Sequence, residues 1–294
     1  MAAAAIIPTV TKLSKRVIRI LGCNPGPMTL QGTNTYLIGT GKKRILVDTG
    51  DKDVERYQKN LEHVVQTEKV DIEHIVLTHW HYDHIGGVEN LYGSIAKEPK
   101  VWKHRKSPDD QDNVHASILM DWLTDGQEIK VEGATVKVHH TPGHTTDHVV
   151  LTLLEDNILF SGDCILGEGT AVFEDLYTYM MSLQKILDLN PGVIYPGHGN
   201  IVMDPASKIK YYIKHRNIRE AQILNTLKIN CDRALNELDL VTIIYTDTPE
   251  HLWAAAAYNV NHHLTKLTKE KKLKCISVDG ENKWQFIRAM ESNL

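Results

Sequence analysis

Residues 79–84 read His79-Trp80-His81-Tyr82-Asp83-His84, directly after the apolar run His74-Ile75-Val76-Leu77-Thr78. Three imidazoles and a carboxylate in so short a stretch are costly to bury unless something pairs with them. The preceding run has the composition of a buried strand, so the chain must deliver this polar cluster to a strand end where other groups meet it. His79 and His81, two apart in extended chain, project to one side, and a turn brings Asp83 and His84 to a second point nearby. Four ligand-type residues so placed can serve two metal ions.

Three later segments supply partners: Thr141-Pro142-Gly143-His144-Thr145, Ser161-Gly162-Asp163-Cys164 and Tyr195-Pro196-Gly197-His198-Gly199. Each sets one His or Asp just past an apolar strand, beside glycines that let backbone approach a crowded site. Strand-end loops on a rigid core are where layered domains place chemistry. His148, four after His144, is read as a supporting contact, and Asp48, which ends Ile45-Leu46-Val47, either orients a ligand or simply forms the turn before Thr49-Gly50. His139 and His140 need no ligand role, and Cys164 reads as a small buried residue.

With 294 residues and 42% hydrophobic content, the chain can bury one large core and a smaller one. Strands are predicted at 17–21, 35–39, 44–48, 74–78, 135–140, 149–154, 158–161 and 193–196, and helices at 53–67, 175–189 and 205–227, which is a layered α/β pattern. The pattern changes near Asn230. Beyond it, a helix at 238–245, a longer one opened by Pro249 with Leu252, Ala256, Val260, Leu264 and Leu267 on one stripe, and a hairpin around Asp279-Gly280 read as a winged-helix-like module or a plain helical cap. The domains are therefore set at 1–230 and 231–294.

The formal charge of −4 excludes a globally basic nucleic-acid binder, so any basic surface must be local. The four scattered cysteines fit a reducing compartment, and no apolar stretch approaches the roughly 20 residues of a membrane span. No Asp or Glu precedes Asp48, while Lys12, Lys15, Arg16, Arg19, Lys42, Lys43 and Arg44 do. That asymmetry resembles a targeting peptide, but Arg16-Val17-Ile18-Arg19-Ile20 also alternates as a strand with its charges facing water.

The ordered set HxHxDH, GHT, GD and GH between Asp48 and His198 resembles the metallo-β-lactamase superfamily. Within it, the segments at 23–36, 162–170 and 215–220 are similar to a branch of animal endoribonucleases, across nearly the whole chain. The resemblance implies a four-layer αββα fold. It assigns His79, His81 and His144 to one zinc, Asp83, His84 and His198 to a second, and Asp163 to both, with Asp83 and Asp163 as the catalytic carboxylates. Iron-binding relatives carry Glu for the second His of the motif, which is absent here, so zinc is favoured.

A zinc pair that activates water does not choose between phosphorus and carbonyl carbon. The 34 residues between Asp163 and His198 are too few for the cassette inserted there in messenger-processing relatives. Lys269, Lys271, Lys272 and Lys274, with Arg216 and Arg219, could hold phosphates, although lysines at a helix end also simply suit its dipole. The resemblance tips the choice to hydrolysis of single-stranded RNA in the mitochondrial matrix, with the cytoplasm as the other location. The alternatives are a glyoxalase-II-like thioester hydrolase and a non-catalytic RNA-binding module. No membrane and no dedicated protein partner are inferred.

Overall fold

A computed structural model describes residues 6–107, 118–278 and 280–287. Seven strands form a first sheet in chain order: β1 (Val10–Lys12), β2 (Val17–Leu21), β3 (Asn34–Ile38), β4 (Lys43–Val47), β5 (Asp71–Val76), β6 (Lys100–Lys103) and β7 (Met120–Trp122). Pairing is antiparallel up to β4 and parallel from β4 to β7. The second sheet holds β8 (Glu128–Val131), β9 (Ala134–His140), β10 (Val149–Leu153), β11 (Ile158–Gly162) and β12 (Val193–Pro196), of which only β11 and β12 run parallel.

Alternation along these strands builds the core. Tyr36, Ile38, Ile45 and Val47 of the first sheet meet Val136, Val138, Val149, Leu151 and Phe160 of the second in a dry interior between the sheets. The opposite face of the first sheet, with Leu37, Leu46 and Ile75, packs on Tyr57, Leu61 and Val64 of α1 (Glu55–Glu68). Val150, Leu159 and Ile194, which alternate with the core residues of the second sheet, are equally buried, as are Leu183 and Ile186 of α4 (Leu176–Leu189). Two short helices, α2 (Tyr82–Ile85) and α3 (Val88–Leu91), follow β5. This is the expected αββα layering.

The sequence reading misses β1, β6, β7 and β8, which are three or four residues long with charges interspersed. It also misjudges Arg19. All five residues of β2 are buried because β1 pairs along its edge, and Arg19 is held there with a hydrogen bond to Thr11 Oγ1 and its pKa lowered by burial. The predicted strand is real, but its second charge does not face water.

Contacts divide the chain into one compact unit of residues up to 174 with 181–209, and another of 175–180 with 210 onward. The sequence boundary at 230 falls just past α5 (Pro205–Ile229), whose Ile223 and Leu227 belong to the smaller core. That core gathers Leu240 and Val241 of α6 (Glu237–Ile244), Val260, Leu264 and Leu267 of α7 (Trp253–Lys269), Leu273 of β13 (Leu273–Val278) and Trp284 of β14 (Glu281–Phe286). Asn236 and Asp239 cap α6 reciprocally, which fixes where it begins. Leu252 does not join the stripe: it sits in a 3-10 turn ahead of α7 and is largely exposed. The hairpin residue Asp279 lies outside the described residues. No described helix is long and apolar enough to cross a membrane.

Candidate metal centre

Strand β5 and the residues after it behave as the motif requires. The chain turns at His81 into α2, so His79 and His81 stay on the extended side while Asp83 and His84 lie on the helical turn. His144 arrives from the β9–β10 loop, Asp163 from the end of β11 and His198 from the end of β12. Ligand atoms of His79, His81, His144 and Asp163 gather in one group and those of Asp83, His84 and His198 in a second, each within 4.8 Å.

The spacings are those of donors around a cation. His79 Nε2 lies 3.0 Å from His81 Nδ1 and 3.3 Å from His144 Nε2, and the last two are 3.1 Å apart. Tetrahedral zinc with bonds of about 2.0–2.1 Å would hold its ligand atoms about 3.3 Å apart. In the second group His84 Nε2 is 3.2 Å from His198 Nε2, and Asp83 Oδ2 is 3.3 and 3.1 Å from those nitrogens. Asp163 Oδ1 lies 3.3 Å from both His84 Nε2 and His198 Nε2, while its Oδ2 is 3.8 Å from His144 Nε2. Although so near, Oδ1 is buried without a well-formed hydrogen bond. Asp163 therefore faces both groups.

For His79, His84, His144 and His198 the far nitrogen explains how the near one is bared. His84 Nδ1 donates to Asp48 Oδ2 at 2.8 Å, and His144 Nδ1 donates to the Val172 carbonyl at 2.8 Å. Once Nδ1 carries the proton, Nε2 presents a lone pair to the centre. His198 Nδ1 points at the Gly32 carbonyl and His79 Nδ1 contacts the Thr78 hydroxyl. Asp48 also accepts from the Thr78 backbone and hydroxyl, and it has a positive φ of 58°. It thus serves both the turn and the orientation of His84.

Burial pushes His79, His81 and His148 below the ordinary imidazole value, His81 to about 4, which keeps those rings neutral. Burial opposes charge on His84 and His198 as well, yet the carboxylates, led by Asp163, outweigh it and raise both, His198 to about 9. Burial likewise opposes charge on Asp83 and Asp163, and His84 and His198 overcome it. A field that draws positive charge, with bared nitrogens aimed inward, fits resident metal.

His148 stays outside the ligand groups. Its Nε2 accepts the Asp163 backbone N–H at 3.1 Å, so Nδ1 carries the proton toward Thr141 Oγ1 at 3.0 Å. Two glycines make room: a Cβ at Gly162 would lie 2.7 Å from His148 Nε2, and one at Gly197 2.5 Å from Asp163 Oδ1. Cys164 is buried, with its thiol pKa raised by that burial. His139 meets Thr152 and His140 the Thr146 carbonyl, away from the centre.

Residues the sequence reading missed complete the frame. Thr33 donates to Asp83 Oδ2 at 3.2 Å and is itself held by Asn24. Lys103 and Asp147 form a fully buried pair at 2.7 Å, which pins the loop that carries His144. Thr33 lies inside the segment 23–36 singled out above and Asp147 between His144 and His148, but Asp83 and Lys103 come to them from distant segments. Above the centre opens a cleft of about 520 Å³, lined by Pro27, Met28, Leu30, Leu166, Ala171 and Val172 among others, with no Lys or Arg among the described residues.

The C-terminal cations are less available than their sequence suggests. Lys269 pairs with Asp175, and Lys272 with Glu270 and Glu220. Arg219 stacks over Tyr245 at 3.8 Å, and Arg216 has its pKa lowered by burial among tyrosines. Lys271 and Lys274 are exposed and free of ion pairs among the described residues.

Comparison with known proteins matches this architecture. Residues 28–198 match the metallo-beta-lactamase superfamily, and residues 237–284 the beta-lactamase associated winged helix domain. The chain is 56% identical to the beta-lactamase-like protein 2 homolog of Drosophila melanogaster, over 92% of this chain and 94% of that one. It is 48% identical to the Caenorhabditis elegans homolog, over 90% and 88%. An atrochrysone carboxyl ACP thioesterase from Claviceps purpurea is 36% identical over 96% of this chain and 89% of its own. Among solved structures, a beta-lactamase domain protein from Burkholderia ambifaria superposes with a TM-score of 0.77 at 18% identity, covering 97% of this chain and 96% of that one. Fold, ligand groups and relatives agree: the chain belongs to the metallo-β-lactamase superfamily of metal-dependent hydrolases, resembles the beta-lactamase-like protein 2 homologs within it, and carries a winged-helix domain at its C-terminal end.

Proposed function

We propose that the protein is a zinc-dependent endoribonuclease that hydrolyses phosphodiester bonds of single-stranded RNA. The observation that carries the hydrolytic part of the reading is Asp163, set between two ligand groups, and the choice of RNA rests on the likeness to the endoribonuclease branch. His79, His81 and His144 would hold one zinc, Asp83, His84 and His198 the other, with Asp163 common to both. Such a pair, when bound, supplies Lewis acidity and brings the pKa of water from about 15.7 toward neutrality. The chain does the rest. Asp48 and the Val172 carbonyl fix the tautomers of His84 and His144. Asp83, kept ionised and partly open at the cleft, is placed to take up the proton of the attacking water, while Thr33 holds its Oδ2. Water adds its oxygen to phosphorus and gives up one proton, the bond to the leaving oxygen breaks, and that oxygen takes one proton from solvent, so that one water is consumed per bond cleaved. A mitochondrial matrix location is proposed on the family likeness alone, since most of the acid-free stretch before Asp48 is strands β1–β4 of the first sheet, and a tagged full-length chain checks it.

A second reading, thioester hydrolysis, is favoured by one specific observation. Apart from the metal-ligand residues the cleft lining is largely apolar, with no Lys or Arg among the described residues, which suits an acyl group, and the Claviceps purpurea relative bears a thioesterase name. Incubating zinc-loaded protein with single-stranded RNA, duplex RNA and an acyl thioester, with and without chelator, separates the two. Chelator-sensitive cleavage of single-stranded RNA is the expected result. Turnover of the thioester alone would replace the nuclease reading.

A further inference from the structure

We propose that Arg105 and Lys106 form a phosphate-binding arm of the catalytic unit, which holds the RNA backbone beside the metal-ligand loop. This rests on the nuclease reading above. The residues after β6, Lys103-His104-Arg105-Lys106, are fixed against the loop that supplies His144 and His148. The Lys103 ammonium meets buried Asp147, Thr146 Oγ1 donates to the Lys106 carbonyl at 3.1 Å, and the His104 ring stacks on His140 at 4.0 Å with the planes 9° apart. Backbone this well tied gives the two following cations a defined direction.

Among the described residues their side chains rest on aromatic faces and not on acids. The Arg105 guanidinium lies 4.3 Å over Trp122, and the Lys106 ammonium 4.2 Å over Trp80, whose ring is in turn 4.7 Å from the ring of ligand His81. Lys106 is thus one aromatic ring away from the metal ligands. Neither cation has a carboxylate partner among the described residues. An indole face orients a cation while leaving its N–H donors free, and those donors match phosphate oxygens. The need is local: among the described residues the cleft lining has no Lys or Arg, and in the other unit Lys269 and Lys272 are matched by acids. A polyanion that reaches the metal centre meets Lys106 and Arg105 at its edge.

The test compares the zinc-loaded full chain with Arg105→Gln/Lys106→Met and with Lys106→Arg. Single-turnover cleavage of labelled single-stranded RNA is followed across a salt series, alongside hydrolysis of bis(4-nitrophenyl) phosphate, which has no flanking phosphates. The double variant should lose at least about tenfold in kcat/KM for RNA, chiefly through KM, and its log–log salt slope should flatten by about 1.4, or 0.7 per lost contact. Lys106→Arg should keep most of the wild-type slope, and turnover of the small diester should fall far less than that of RNA. An unchanged slope, or equal losses on both substrates, overturns the arm. No RNA cleavage by the wild-type protein would instead overturn the nuclease reading.

Discussion

Exchanging the Asp163 carboxylate for an amide removes a negative charge from the point where the two ligand groups meet. Its Oδ1 is 3.3 Å from His84 and His198 and its Oδ2 is 3.8 Å from His144, so Asp163→Asn weakens both groups at once with almost no change in volume. Loss of most water activation corresponds to at least about a thousandfold in rate, or roughly 4 kcal/mol of barrier. His148→Ala is the contrast. It deletes the acceptor of the Asp163 N–H and the partner of Thr141, but no inward-facing ligand atom, and removing such a support costs about 10 to 100-fold. Single-turnover cleavage of single-stranded RNA by metal-loaded protein reads both, with circular dichroism as the folding control. RNA affinity should survive in Asp163→Asn. Near-normal cleavage by that variant would refute the shared-carboxylate reasoning, and equal losses in the two would erase the distinction between ligand and support.

Replacing Lys269, Lys271, Lys272 and Lys274 by Ala tests the C-terminal strip; since Lys269 and Lys272 are ion-paired, the salt slope for RNA should flatten by no more than about 1.4, the share of Lys271 and Lys274. A loss of about 2.8, four contacts' worth, would show that the ion pairs open for RNA. Lys103→Met strands Asp147 as an unpaired buried charge and should cost about 3–5 kcal/mol in urea unfolding, most of it recovered in Lys103→Met/Asp147→Asn. Full stability of the single variant would mean that the pair does not hold the loop. His263 is buried and its pKa is depressed to about 3, by burial first and then by Arg216 and Lys266. The unfolded chain binds that proton near pH 6.5, so the stability it contributes is present above that value and is lost as pH falls toward 3. His263→Leu should retain about 2 kcal/mol more than wild type on going from pH 7 to 4.5, and parallel curves would exclude the assignment.

The seven ligand-type residues that the fold gathers were legible because the HxHxDH run comes soon after β5, while His144, Asp163 and His198 each follow a glycine at or just past the end of an apolar strand. Asp48 was half legible, since a turn-forming Asp and one that orients His84 look the same until β5 is laid beside β4. The short strands Lys100–Lys103 and Glu128–Val131 owe their existence to neighbours that hydrogen-bond them, not to their own alternation. Charge was read least well. Arg19 looked solvated until β1 covered it, and Lys269 and Lys272 looked free until Asp175, Glu220 and Glu270 were brought to them from elsewhere in the chain. Conversely, Arg105 and Lys106 drew no notice, because only the folded chain sets them on Trp122 and Trp80.

The central claim is that hydrolysis depends on a pair of metal ions held by these two groups. Titrating metal-stripped protein with zinc, and measuring bound metal by elemental analysis and RNA cleavage in the same samples, tests it most directly. Cleavage should be absent in stripped protein and should reach its plateau at about two zinc ions per chain. Undiminished cleavage without metal, or a plateau at about one ion per chain, would contradict it.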